Sequence, residues 1–212
     1  MGALNGSISF TRFYVEGDLP DNFRDDFIQR INHRIFVPLT PEDEEKERTG
    51  WCSIEHPLDL DLDVYKVFYN EYLNIGMRVD KWRIPSPILK AHYTEAERDY
   101  MAEHNKERLS RDEKLEIKER VEIKLRHRTM PSMKVIDMSW NTHTGMLRFW
   151  NQSSKTCELF QAFFEDTFQM RLVPQSPYTD ALQFELTDDQ VELLAMMEPS
   201  VLHNGPTLAP ST

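Results

Sequence analysis

Arg111, Lys114, Lys118, Lys124, Arg126, Arg128 and Lys134 crowd one stretch of the chain. Cationic side chains at this density hold anions, phosphate above all, through charge-assisted hydrogen bonds and the local field they create. Lys114 and Lys118 stand four residues apart, so on a helix they are like charges one turn from each other, mildly repulsive unless an anion lies across them. No Asp or Glu occurs between Glu122 and Asp137. A second acid-free run, Met138 to Cys157, adds Arg148 and Lys155. These nine residues are the candidate anion-binding set. The competing interpretation is a solvated helix whose long basic side chains lie along the edge of a core, supported by Glu116–Arg120 and Glu122–Arg126 pairs.

Other chemistry is poorly represented. Asp59, Asp61 and Asp63 alternate with Leu58, Leu60 and Leu62. Three carboxylates suggest a cation site, but the loop glycine and closing Glu of a calcium loop are missing, and strand alternation would place them along one solvent face. His33, His56, His92, His104, His127, His143 and His203 show no metal-ligand spacing. Lys81, Arg83 and Lys90 flank Trp82, an interleaving that can serve single-stranded nucleic acid by stacking, although a half-buried strand Trp is the better explanation. HExxH, CxxC, GxSxG and glycine-rich phosphate loops are absent, so no catalytic residue, metal or cofactor is expected.

The elements that must position the basic residues are legible. Ser110 and Glu113 form a capping box, and Ile117, Val121 and Leu125 follow at steps of four, which predicts a helix with one apolar stripe. Upstream, Leu4 to Val15 reads as a strand and Pro20 to Phe36 as an amphipathic helix with Phe23, Phe27, Ile31 and Ile35 on one side. Thr40 to Gly50 reads as an exposed charged segment, Trp51 to Ile54 as a short strand, and Val64 to Ile84 as one or two strands around Asn74 to Gly76. Ile88 to Asn105 is a helix with a possible capping box at Thr94 to Glu97. Met133 to Ser139 and Met146 to Asn151 form a hairpin around NTHTG, Ser153 to Met170 an apolar helix, and Leu172 to Pro174 a last strand. The order β-α-β-β-α-α-β-β-α-β predicts an α+β fold, antiparallel sheet with packed helices. Residues 1–174 form the core, divisible into lobes 1–105 and 106–174; residues 175–212 are an acidic tail with one helix at Thr187 to Met197 and a Pro-rich, disordered end.

The 212 residues carry a net charge of −11, unevenly placed. Residues 1–63 hold 14 acids against 6 bases and residues 172–212 hold 6 acids and no Lys or Arg, whereas residues 64–171 hold 19 bases against 16 acids. A basic face on an acidic molecule is therefore permitted. No apolar run reaches the length of a membrane span. The opening MGALNGSISF lacks the features of a secretory signal, and Cys52 and Cys157 read as buried thiols, which points to a cytoplasmic protein.

LSRDEKLEIKERVEIKLRHRTMPS, Leu109 to Ser132, and VIDMSWNTHTGMLRFWNQSSKTCELFQAFFEDTFQMRLVP, Val135 to Pro174, resemble in order and spacing the bacterial recombination-associated protein RdgC family. The likeness continues faintly upstream, at Gly50–Trp51 and Arg83 to Pro85. It departs in length, this chain being a short form, and at KLRHRTMPS, where the family often has a leucine-rich helix end. The resemblance implies a nucleoid-associated homodimer that binds double-stranded DNA without sequence preference and modulates RecA-dependent recombination. The nine basic residues are then the expected phosphate contacts. A protein-interaction module that keeps this core without binding DNA, and a metal-dependent nuclease, are the alternatives.

Overall fold

In a computed structural model, which describes residues 2–6, 8–184 and 186–197, the chain builds one antiparallel sheet with helices packed against it, the α+β architecture expected. The strands are β1 (Thr11–Glu16), β2 (Glu47–Cys52), β3 (Phe68–Tyr69), β4 (Tyr72–Lys81), β5 (Ser132–Asn141), β6 (Met146–Phe149) and β7 (Arg171–Pro174). They run in the order β2-β4-β5-β6-β1-β7, with β3 also on β4. The helices are α1 (Phe23–His33), α2 (Val64–Val67), α3 (Ser86–Glu103), α4 (Arg111–Arg126), α5 (Ser154–Phe168), α6 (Pro177–Ala181) and α7 (Asp188–Met196). The cut between 1–105 and 106–174 falls between α3 and α4, yet both pieces donate strands to the same sheet.

Strand alternation sorts side chains by face. Leu73, Ile75 and Met77 of β4 lie opposite Trp140, Met138 and Ile136 of β5, and all six are buried. Onto this face pack Phe27 and Ile31 of α1 and Phe160, Phe164 and Phe168 of α5, the two stripes the sequence periodicity predicted. The result is an aromatic core: Phe149 stacks on Phe160 at 3.9 Å, Phe27 on Trp140 at 5.4 Å, and Phe168 meets Phe27 edge-on at 5.0 Å. Each such ring contributes about 1.5–3 kcal/mol by leaving water. The indole of Trp51, fully buried, donates to Thr167 Oγ1 at 3.0 Å, so even this polar edge is satisfied.

Several elements differ from expectation, each for a tertiary reason. The first strand begins at Thr11; Ala3–Asn5 instead form a 3-10 turn tied down by Ala3 N–H donating to Asp137 Oδ2 at 2.7 Å. Glu47 to Gly50, expected within an exposed charged segment, are strand: they pair with β4, Glu47 meeting Lys81 at 2.5 Å, while Arg48 is held by Asp43 and Glu45 of the preceding loop. Asp59, Asp61 and Asp63 lie on a loop, not a strand. Asp59 Oδ2 accepts from Lys66 Nζ at 2.9 Å and Asp63 caps α2 by accepting from the Lys66 N–H. No group of three or more potential metal ligands occurs among the described residues. In Val64 to Ile84, expected as strand throughout, Val64–Val67 instead form α2 under the Asp63 cap. The break between strands falls at Asn70, in the left-handed region at φ 56°, not at Asn74 to Gly76, which run through β4. Thr94 to Glu97 lie inside α3, where Thr94 Oγ1 donates back to the Lys90 carbonyl instead of capping a helix. Trp82 is buried and unavailable for stacking on a ligand. Cys52 and Cys157 are free, buried thiols.

The tail adds α6, which sequence did not suggest, and α7, which it did, capped by Thr187 and Gln190. The Pro-rich end expected to be disordered lies outside the described residues. No described helix is long and apolar enough to cross a membrane.

Candidate nucleic-acid interface

α3 and α4 form a helical hairpin inserted between the paired strands β4 and β5. The capping box is present: Ser110 Oγ accepts from the Glu113 N–H and Glu113 Oε2 accepts from the Ser110 N–H at 2.9 Å. Lys106 also donates to Glu113, and these bonds hold the Glu113 carboxyl down at about 2, the Lys106 bond contributing most. Ile117, Val121 and Leu125 meet Ile84, Leu89, Tyr93, Ala96, Tyr100 and Leu109 in a small core separate from the aromatic one.

That packing decides where the basic residues go. Lys114 Nζ lies 3.9 Å from Glu97 of α3. Lys124 and Arg128 line a groove whose other wall carries Glu95 and Asp99 of α3. Lys118 borders a cleft of about 450 Å³ between α4 and the loop before β2, together with Glu42, Asp43, Glu44, Glu119 and Glu122. His127 lies 2.9 Å from Glu42. A run that contains no acid along the chain thus acquires acids from α3 and from residues 42–44. The local field of the helix end is largely compensated.

Arg126 requires a correction. It is 5% exposed, its Nη1 donating to the carbonyls of Pro41 at 3.2 Å and Asp43 at 2.7 Å, with its guanidinium over the Trp82 ring at 5.9 Å. Glu122 Oε2 stands 3.7 Å away and is nearer to Lys46, at 2.8 Å. Arg126 fastens the hairpin to the 41–43 loop and is no surface phosphate contact. Glu116–Arg120 forms as expected, at 2.8 Å. Arg111, at the first position of α4, and Lys134, on β5 opposite Val79, are exposed, as is Lys155 in the first turn of α5. The nine residues do not converge on one surface.

Arg148 belongs to a different cluster, on the sheet face away from α1 and α5. β1 and β6 pair in a register that sets Arg12 directly opposite Arg148. Both side chains are exposed, and both guanidiniums lie over Phe10, at 5.5 and 5.8 Å from its centroid. Phe10 in turn contacts Trp150, centroids 5.5 Å apart. Arg12 Nη1 donates to Gln175 Oε1 at 3.3 Å. Among the described residues neither arginine has an acidic partner within 4 Å. Like charges directly across a strand pair are destabilising, so this arrangement favours an anion laid over both. Guanidinium planes beside aromatic faces suit a phosphate chain carrying bases.

Arg12 and Phe10 were not among the residues nominated from sequence. Their signal was present as same-face alternation, Phe10-Arg12 in one segment and Arg148-Trp150 in another, but the register that joins the two segments is tertiary. No family model and no curated protein matches the chain.

Proposed function

We propose that this protein binds nucleic acid through its phosphate backbone, with double-stranded DNA as the ligand that the RdgC resemblance suggests. The observation that carries the proposal is the Arg12–Arg148 pair over Phe10, which has no acid within 4 Å among the described residues; Asp180 reaches Arg12 only through Gln175. Of the other basic residues, Lys134 and Lys155 lie toward the opposite, α5-covered face and Arg111 on the α3–α4 hairpin, so they are separate from this pair, while Lys114, Lys118, Lys124 and Arg128 have acids beside them. Backbone contacts carry no sequence information, so binding is non-specific. A homodimer, association with the nucleoid and interplay with RecA complete the reading on the same resemblance.

The test is fluorescence anisotropy of an arbitrary labelled duplex at about 50 and 200 mM salt. Several phosphate contacts make affinity fall by orders of magnitude over that window. Arg12→Gln and Arg148→Gln should each flatten the salt slope by about one. Absence of binding at low salt, or a slope unchanged in both variants, refutes the proposal.

One observation favours a protein-interaction role instead. The cleft beside α4 exposes Leu115, 57% accessible, and Ile123 within an acidic rim. If duplex is not retained at low salt, this cleft is the next surface to probe, by Leu115→Glu. A nuclease would need converging carboxylates, and no candidate metal cluster occurs among the described residues to support that alternative.

A further inference from the structure

The acidic tail leaves the sheet beside the arginine pair. After β7 the Gln175 N–H donates to the Arg12 carbonyl at 2.9 Å, and Tyr14 OH donates to Asp180 Oδ1 of α6 at 3.0 Å. α6 is thereby anchored on β1. Residues 182–187 then link it to α7, and such a link reaches at most about 20 Å when extended. α7 has its own capping box but buries no residue. Met196 is 77% accessible.

The two surfaces are complementary. On α7, Asp188, Glu192 and Met196 recur at steps of four and share one face. Side chains one helical turn apart are separated by about 5–6 Å, close to the 4.5–5.5 Å between directly opposed side chains on neighbouring strands. Two carboxylates at that spacing can each meet one guanidinium of the Arg12–Arg148 pair. Phe10 and Trp150 stand two positions along their strands from the arginines, so they flank this line and give the contact an apolar border. Ile8, 88% accessible, extends the same apolar border. No Lys or Arg occurs anywhere in residues 172–212 to oppose the approach.

We propose that α7 docks on the Arg12–Arg148 face, its Asp188 and Glu192 pairing with the two arginines. Resting on the function proposed above, the docked helix competes with nucleic acid for these guanidiniums and lowers apparent affinity by the fraction of time the face is covered. A face covered for about nine-tenths of the time weakens apparent binding about tenfold.

Hydrogen exchange of the amides in 187–197, read in the full chain, tests this. In the unaltered protein these amides should exchange more slowly than in the Arg12→Glu, Arg148→Glu double variant, by about tenfold for the same occupancy. Adding Asp188→Arg and Glu192→Arg to that double variant should restore protection, since the charges are then exchanged across the contact. Equal exchange in the unaltered and double-variant proteins overturns the docking, whatever the DNA affinity. A difference that persists when no duplex binds at low salt supports the docking and removes the nucleic-acid reading. Where duplex does bind, it should release α7 and speed its exchange; continued protection at saturation overturns the competition.

Discussion

Arg126→Ala separates structural from phosphate-binding basic residues most sharply. The guanidinium is buried, donates to two loop carbonyls, lies beside Glu122 and covers Trp82. Hydrogen bonds from a charged donor contribute about 1.5–3 kcal/mol each, and carbonyls left without a donor cost more when they stay dry. A cation over an indole adds about 0.5–1 kcal/mol, whereas Glu122 keeps Lys46 at 2.8 Å and is not stranded. These contributions overlap, so the expected destabilisation is about 3–5 kcal/mol and not their sum. Urea unfolding is the assay. With a slope of about 2–3 kcal/mol/M for a chain of this size, the midpoint should fall by 1 M or more. Hydrogen exchange should accelerate first in the 40–46 loop and in α3 and α4, which this residue ties together. Lys118→Ala, one cleft wall away and exposed, should change the unfolding free energy by less than about 0.5 kcal/mol. A loss below about 1 kcal/mol for Arg126→Ala, accompanied by a duplex salt slope flatter by about one, would mean that Arg126 faces phosphate and that the reasoning is wrong.

Three further outcomes follow from the same contacts. Glu113 titrates at about 2 in the fold against an ordinary 4.5, so its ionised form stabilises the fold. The stability gap between the protein and Glu113→Gln should be full above about pH 4.5 and close as pH falls toward 2; a gap independent of pH contradicts the assignment. Burial pushes the Cys52 thiol up to about 12. It should therefore resist thiol reagents at pH 8 in the folded protein and react on unfolding in urea, and rapid native labelling of Cys52 mapped by mass spectrometry would contradict its environment. Gly76 has no room for a side chain: an added Cβ would stand 2.9 Å from Val135 Cγ1 and 3.1 Å from Cys52 Sγ. Gly76→Ala should destabilise by about 1–3 kcal/mol in thermal unfolding, and an unchanged midpoint would show that β4 and β5 yield more than this packing allows.

Local chemistry determined much of this protein. The steps of four in Phe27–Ile31 and Phe160–Phe164–Phe168, the Ser110–Glu113 cap and the Thr187–Gln190 cap each specify a helix within a few residues, because periodicity and terminal hydrogen bonds are properties of neighbouring positions. The strand-pair and helix order, and with it the α+β class, followed from the same signals. Charge was legible as composition but not as field. The acid-free helix end is faced by Glu95, Asp99 and Glu42 from elements distant in sequence, and Arg126 is drawn inward by two carbonyls of another loop. Conversely, the Arg12–Arg148 pair exists because β1 returns across 136 positions of chain to lie beside β6. Strand register sets which side chains stand opposite, and register is chosen by burial of the whole aromatic face rather than by the residues it juxtaposes on the other side.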